Sequence, residues 1–196
     1  MNKVKPDIVF LNESKLKEQL NSEVFDVDEY VIYRKDREIQ EAPGGGVVLM
    51  IKSNLVSSDN NVSYLNNHAY REAAWCEIML NNKKILLGVI YRPPSSTSEM
   101  NDLLCDLIKV SGEYHNESQL VICGDFNFDE IKWELNEVFT QGQTAAARKF
   151  MDCVNDCFLY QHVYEPTHNV EGDNATRLDL IFSRHGEDIG NLEHHH

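Results

Sequence analysis

Residues 122–127 read ICGDFN, and the interpretation of the whole chain starts from this stretch. The apolar segment QLVICG, residues 119–124, predicts a strand covered on both faces. It runs directly into the carboxylate of Asp125 and, one aromatic residue later, the amide of Asn127. Gly-Asp and Asn are also common turn residues. The motif by itself therefore permits either a simple turn or a functional site at the end of a buried strand.

Other apolar segments rich in β-forming residues predict further strands. They cover residues 7–13, 30–34, 44–52, 73–80, 83–92, 159–163 and 177–183. The segments at 73–80 and 83–92 are separated by Asn81-Asn82, which predicts a hairpin because asparagine tolerates the positive φ that such turns need.

Two segments have the period of an amphipathic helix instead. The first begins after Ser98, a candidate N-cap, and continues to Ile108. The second has apolar residues at helical spacing from Ala147 to Phe158. Strands outnumber helices, and the helices lie between strands in the second half of the chain. This pattern favours two packed sheets with helices outside.

Composition restricts the class of protein. The 196 residues are 42% hydrophobic and 26% charged, which is typical of a single globular domain. A net charge of −14 argues against bulk electrostatic binding of nucleic acid, but it is compatible with an enzyme that holds a divalent cation. The N-terminus MNKVKPD lacks a signal peptide, and no apolar run is long enough to span a membrane. We therefore expect an intracellular protein, nuclear or cytoplasmic, without a membrane partner.

Several predicted strands end in a polar side chain capable of chemistry. Segment 7–12 leads to Glu13, segment 85–90 leads to Tyr91 and Arg92, and segment 120–124 leads to Asp125. If these strands are neighbours with a common direction, their ends converge at one rim. A carboxylate, an amide and a phenol at one rim suit Mg²⁺ and phosphoryl chemistry. Each residue alone is weak evidence, because a glutamate after a strand is usually a solvated loop residue.

The ordered series of motifs resembles the endonuclease/exonuclease/phosphatase superfamily, and within it the endonuclease domain of non-LTR (LINE-type) retrotransposons. The resemblance runs from KPDIVFLNESKL through GGGVVLMIK, GVIYRPPSS and GDFNFDEIKW to RLDLIFS. It implies one domain over residues 1–191, and we interpret LEHHH at 192–196 as a cloning remnant with a partial histidine tag. The implied fold is a four-layered α/β sandwich, in which helices flank two packed mixed β-sheets.

The resemblance also implies an activity and a set of roles. The activity is Mg²⁺-dependent nicking of target DNA, with Mn²⁺ as a second candidate ion, in a polyprotein that also carries a reverse transcriptase. Glu13 resembles the metal-binding glutamate, and Tyr91 resembles the tyrosine that contacts the scissile phosphate. Asp125 resembles the aspartate that orients or deprotonates the attacking water, and Asn127 the asparagine that holds phosphate oxygens.

Three further residues complete the predicted site. Asp179 resembles the aspartate that orients a catalytic histidine, and Arg92 and Thr167 are expected to line the site and bind substrate. The family's first strand, which carries an asparagine, and its final Ser-Asp-His segment have no counterpart in this sequence. His162 and His168 flank the EPT motif as weak candidates to replace the missing histidine.

These departures leave alternatives open. The chain is either an active endonuclease, a catalytically silent binding module of the same fold, or a phosphatase or phosphodiesterase of the superfamily. The missing strands also predict an open sheet edge through which the chain self-associates.

Overall fold

The computed structural model describes residues 5–16, 29–37, 45–114, 118–133, 137–138, 145–168 and 175–193. The described strands are β1 (Ile8–Asn12), β2 (Tyr30–Lys35), β3 (Val47–Lys52), β4 (Val56–Ser58), β5 (Ala73–Leu80), β6 (Lys83–Tyr91), β7 (Gln119–Asp125), β8 (Ile131–Lys132), β9 (Glu137–Val138), β10 (Tyr160–Gln161) and β11 (Asp179–Ser183). The described helices are α1 (Ser63–Asn66), α2 (Ser98–Gly112) and α3 (Ala145–Asp156).

The smaller main sheet has three described strands in the order β1-β3-β2. Both pairings are antiparallel, so this sheet differs from the expected mixed sheet over the residues that the structure describes. β3 lies in the middle and is almost completely buried, as its unbroken apolar sequence requires. β1 lies at the edge of the described sheet, and the predicted self-association through such an edge stays a prediction.

The larger sheet has six strands in the order β10-β11-β7-β6-β5-β4. It is mixed, because β6 and β7 run parallel while the other neighbours are antiparallel. A parallel pair needs a crossover connection, and α2 lies within that crossover. The predicted hairpin is confirmed: Asn81 and Asn82 have φ of 51° and 62° between β5 and β6.

The two sheets pack on each other, and α2 and α3 cover the outer face of the larger sheet. One apolar cluster lies between the sheets and joins β3 to β5 and β6. A larger cluster joins the six-stranded sheet to α2 and α3, with Trp75, Phe126 and Phe150 at its centre. The predicted architecture of two packed sheets with helices outside is confirmed. In the described ranges the helices lie on the side of the larger sheet.

Several predicted boundaries differ from the structure. The N-cap of α2 is Thr97, not Ser98, because Thr97 has extended backbone angles and its Oγ1 accepts a hydrogen bond from the Met100 N–H at 3.2 Å. The second helix ends at Asp156, so Phe158 is outside its apolar stripe; it has a φ of 52° and is 86% exposed. The five cysteines are free. None of the described helices is long and apolar enough to cross a membrane.

Gly124 in the GDFN motif is required by the close approach of β6. A Cβ added at this position would lie 1.9 Å from the carbonyl oxygen of Ile90, which belongs to the backbone of the parallel neighbour. We expect Gly124→Ala to lower the free energy of unfolding by about 3 kcal/mol, because the two strands must move apart. Urea denaturation measures the change. Gly190→Ala is the control, because a Cβ there meets nothing within 4 Å. Equal stability of the two variants would contradict this account.

Candidate active site

Glu13, Tyr91 and Asp125 lie together where β1, β6 and β7 end. The Tyr91 hydroxyl donates a short hydrogen bond to Oε1 of Glu13. Tyr91 and Asp125 are paired residues in the parallel register of β6 and β7, so both stand at the same end of the larger sheet. Burial raises the pKa of Tyr91, and the hydrogen bond to Glu13 and the negative charges of Glu13 and Asp125 raise it further. The phenol is therefore protonated at neutral pH and acts as a hydrogen-bond donor.

The loop that presents Glu13 is attached to the glycine-rich segment before β3. The N–H of Ser14 donates to the carbonyl of Gly46 and the N–H of Lys15 to that of Gly45, both at 3.0 Å. Gly45 and Gly46 have φ of 79° and 81°, which favours glycine at both positions. The glycine-rich sequence thus supports the loop that carries Glu13.

Asn12 connects the two sheets directly beside Glu13. With its amide oriented to suit its neighbours, its oxygen accepts from the Asp125 N–H at 2.8 Å and its nitrogen donates to the Ile90 carbonyl at 3.3 Å. Asn12 was not among the site residues predicted from the sequence. Its position as the last residue of an apolar strand, just before Glu13, was the available signal.

Asn127 follows Asp125 in a tight turn. Its N–H donates to Oδ1 of Asp125 at 3.1 Å, and its Nδ2 donates to the Arg92 carbonyl at 2.9 Å. Asn127 has a φ of 48°, a conformation that asparagine tolerates better than most residues. The GDFN motif is therefore both a turn and part of the site. The second N–H of the Asn127 amide can donate to another acceptor.

Asp125 has an unusually high pKa for an aspartate. Burial raises the pKa of Asp125 to about 6, the negative charge of Asp179 adds to this, and hydrogen bonds from Asn127 partly oppose it. Asp179 stands directly opposite Asp125 in the antiparallel pairing of β11 with β7. Glu13 contributes a smaller repulsion in the same direction. A carboxylate with a pKa in this range is ionised at neutral pH and is still a usable base.

The high pKa of Asp125 predicts a pH-dependent effect on stability. Since the pKa in the folded state lies above its ordinary value, the contribution of this carboxyl is favourable at low pH and is lost as the pH rises through about 6. We expect Asp125→Asn to raise the melting temperature relative to the native protein at about pH 7.5, and the difference to disappear near pH 3. Melting curves of both proteins across this range test it. A difference that is constant with pH would contradict the assigned cause.

Arg92 is buried beside the turn after β7, and its predicted role in substrate binding stays a prediction. Its side chain is buried, and the residue is 6% exposed. Its Nε donates to Oδ1 of Asn101 at 2.7 Å, and its Nη1 donates to the carbonyls of Phe126 and Asn127 at 3.2 and 2.7 Å. The guanidinium also lies 3.8 Å from the ring centroid of Phe128. Arg92 therefore holds the turn after β7 in place.

Thr167 also contacts backbone groups at the rim. Its Oγ1 accepts hydrogen bonds from the N–H groups of Leu178 and Asp179, each at 3.0 Å. These bonds hold the start of β11, where Asp179 is exposed. Thr167 thus positions the strand that carries Asp179, and whether it also binds substrate stays a prediction.

No histidine of the described segments hydrogen-bonds to Asp179. His162 is buried and shares a hydrogen bond of 2.6 Å with Ser183 Oγ, and burial lowers its pKa. His168 pairs through its backbone with Thr176. The replacement of the family's histidine by His162 or His168 is therefore not supported by a hydrogen bond to Asp179 in the described part of the chain.

Glu13 is the carboxylate at the rim that could hold a hard divalent cation with most of its water. Within the described ranges, no three His, Cys, Asp or Glu side chains are grouped so that they enclose a metal ion. Glu13 offers a carboxylate, and Asp125 and Asp179 place further negative charge nearby. Mg²⁺ is commonly bound by one or two carboxylates, whereas structural zinc needs four close protein ligands. Binding of Mg²⁺ or Mn²⁺ at this rim is therefore a proposal, and the described residues do not form a closed zinc centre.

The two packed sheets with helices outside match the α/β sandwich fold of the endonuclease/exonuclease/phosphatase superfamily. The chain is similar to the endonuclease domain of TRAS1, a telomere-specific non-LTR retrotransposon, with a TM-score of 0.60, 14% identity, and 90% of this chain and 71% of that chain covered. It is also similar to the AP endonuclease LMAP from Leishmania major, with a TM-score of 0.60, 10% identity, and coverage of 91% and 69%.

A third similar structure is the 3′ phosphatase NExo from Neisseria, with a TM-score of 0.55, 13% identity, and coverage of 91% and 76%. At these identities the structures show the fold. A family model described as endonuclease-reverse transcriptase matches residues 85–196, more than half of the chain, and the protein belongs to this family. No curated protein matches the chain.

Proposed function

We propose that this chain is the Mg²⁺-dependent DNA endonuclease domain of a retrotransposon polyprotein that also contains a reverse transcriptase. The observation that carries the proposal is the grouping of Glu13, protonated Tyr91 and a high-pKa Asp125 at one end of the sheets. The family description and the fold shared with a retrotransposon endonuclease domain support it. The reaction is hydrolysis of one phosphodiester bond, which leaves a nick in duplex DNA.

Asp125 is the base of the proposed reaction. Above about pH 6 it is ionised and can accept a proton from the water that attacks phosphorus. Its Oδ1 is held by the Asn127 N–H, which fixes the direction of the carboxylate. Burial, and after it repulsion from Asp179, keeps the pKa of Asp125 above that of an exposed aspartate.

Asn127 supplies a hydrogen bond to the phosphate oxygens through the amide N–H that does not donate to the Arg92 carbonyl. The Arg92 carbonyl holds the Asn127 amide before substrate arrives. The single O–H of Tyr91 is donated to Glu13, so Tyr91 donates to a phosphate oxygen only when that bond is exchanged. Donors fixed in this way stabilise the charge that develops on non-bridging oxygens in the transition state. Glu13 would hold the divalent ion, which neutralises part of the same charge.

Of the steps in the proposed reaction, protonation of the leaving oxygen receives the least assistance from the described residues. No described histidine is hydrogen-bonded to Asp179, and general acid assistance of this kind is worth about 10²–10⁴ in rate. We therefore expect slow nicking. The same observation favours the second candidate, a silent module that binds DNA without cleaving it.

A plasmid assay separates the two candidates. The purified chain is incubated with supercoiled plasmid and Mg²⁺, and the conversion to open circles is followed on gels, with an EDTA reaction as the blank. The endonuclease proposal requires open circles that accumulate with Mg²⁺ and not with EDTA. Retardation of the plasmid without any nicking supports the silent module. A chain that neither binds nor nicks DNA would refute both.

Glu13 is expected to be the main protein ligand of the divalent ion. Ion binding to the folded state should raise the free energy of unfolding by about 1.4 kcal/mol at ten times the dissociation constant. Thermal melts across a Mn²⁺ titration measure this, and Glu13→Gln should abolish the rise. Glu187→Gln is a matched control because Glu187 is exposed and lies after β11, outside the site. The assignment fails if the rise persists in Glu13→Gln.

A further inference from the structure

Glu72 is a buried carboxylate that the sequence analysis did not identify. It lies immediately before β5 and is only 4% exposed. Both oxygens of its side chain are hydrogen-bonded: Oε1 accepts from Arg37 Nε at 2.7 Å, and Oε2 accepts from the Gly46 N–H at 2.9 Å. Its backbone carbonyl accepts from the Tyr91 N–H at 2.9 Å. A buried charge with this many partners holds several segments together.

One of these partners, Gly46, also contacts the loop that carries Glu13. The Gly46 residue that donates to Glu72 also accepts, through its carbonyl, the hydrogen bond from Ser14. Gly45 accepts the corresponding bond from Lys15. Glu72 therefore fixes the glycine segment, and the glycine segment fixes the residues that follow Glu13.

The Glu13 loop needs such support because of its backbone conformation. Glu13 and Lys15 have φ of 50° and 54°, a region that non-glycine residues rarely adopt. A conformation of this kind persists when the surrounding structure holds it. Arg37, the ion-pair partner of Glu72, also lies 6.0 Å from the ring centroid of Tyr91, the residue that donates to Glu13.

We propose that Glu72 is a positioning residue that holds Glu13 against Tyr91 and so sets the affinity of the site for a divalent cation. The part of this inference that concerns the cation rests on the proposed function. Glu72 has no contact with the ion itself. It acts through the Gly46 peptide on one side and through Arg37 and the Tyr91 backbone on the other.

Glu72→Gln tests the proposal because it keeps the shape of the side chain and removes the charge. We expect amide hydrogen exchange at Ser14 and Lys15 to become faster by about tenfold or more, because their hydrogen bonds to Gly46 and Gly45 open more often. We also expect the affinity for Mn²⁺, measured from the EPR signal of the free ion, to fall by about tenfold.

Glu77→Gln is the matched control. Glu77 is a second buried carboxylate, 8% exposed and located within β5, with Tyr114, Lys84 and Asn61 as partners. Its removal tests the effect of losing a buried carboxylate away from the Glu13 loop. In Glu77→Gln, amide exchange at Ser14 and Lys15 should match that of the native protein. The affinity for Mn²⁺ should also be unchanged. If Glu72→Gln does not fold, Glu72→Asp should give the same selective loss, because the shorter side chain does not reach both partners.

The outcomes distinguish this inference from the proposed function. Equal exchange at Ser14 and Lys15 in the Glu72 and Glu77 variants would overturn the positioning role. Unchanged Mn²⁺ affinity in the Glu72 variant would overturn its role in ion binding. If the native chain neither binds Mn²⁺ nor nicks DNA while exchange is selectively faster in Glu72→Gln, the proposed function fails and the positioning of Glu13 by Glu72 is supported.

Discussion

Replacing Asp125 with asparagine should lower the rate of Mg²⁺-dependent plasmid nicking by about 10²–10⁴-fold, because the base that accepts the proton of the attacking water is lost. Asparagine keeps an oxygen that can accept the Asn127 N–H, so the turn after β7 is retained. The rate of the native chain should rise as the pH increases through about 6, where Asp125 becomes ionised. The measurement is the initial rate of open-circle formation at high enzyme concentration.

Asp102→Asn is the control for this substitution. Asp102 lies on α2 and is exposed, where it forms an ion pair with Lys149 of α3 at 2.6 Å. The same chemical change there should leave the nicking rate unaltered. Since Asp125→Asn is also expected to stabilise the fold at neutral pH, unfolding cannot account for lost activity. Nicking by Asp125→Asn at the native rate would remove Asp125 from the mechanism.

Replacing Arg92 with methionine should lower the free energy of unfolding by about 3 kcal/mol, because buried acceptors lose their donors. The guanidinium donates hydrogen bonds to the side chain of Asn101 and to the carbonyls of Phe126 and Asn127. Methionine has an unbranched side chain of similar length. The loss of stability should therefore come from the missing hydrogen bonds and charge more than from a cavity. Guanidinium chloride denaturation monitored by tryptophan fluorescence measures it.

Lys149→Met is the matched control, because it removes an exposed cation whose ion pair contributes little to stability. Arg92→Lys should recover only part of the loss, because an ammonium does not reproduce the planar set of donors. If Arg92→Met is as stable as Lys149→Met, the turn after β7 does not depend on the guanidinium. In that case the buried position of Arg92 would need another explanation.

Local sequence patterns were sufficient for much of the fold. The apolar, β-forming content of residues 83–92 predicted β6, and the Asn81-Asn82 pair predicted the hairpin, because each depends on neighbours in the chain. The polar residues that follow apolar strands pointed to Glu13, Tyr91 and Asp125, which the structure brings together. The superfamily followed from the order of the motifs, which the family model and the fold confirm.

The errors in the prediction have local causes too. Thr97 and Ser98 are both good N-cap residues, and only the backbone angles show which one precedes the helix. Phe158 continues the apolar spacing of α3, but the chain leaves the helix before it. Sequence spacing alone does not show where a helix ends when no strong stop signal is present.

The sequence by itself determined the longer strands, the main helices and the side chains at the ends of the strands, since these depend on interactions over a few residues. It did not predict the short strands β4, β8 and β9. Only the tertiary structure decided what Arg92 and Glu72 do, because their partners are far away in the chain: Phe126 and Asn127 for Arg92, Arg37 and Gly46 for Glu72. An arginine after a strand has the same local pattern whether it faces solvent or lies buried among backbone carbonyls. The close packing of the two sheets makes the difference, because a buried charge must find its hydrogen-bond partners wherever the fold places them.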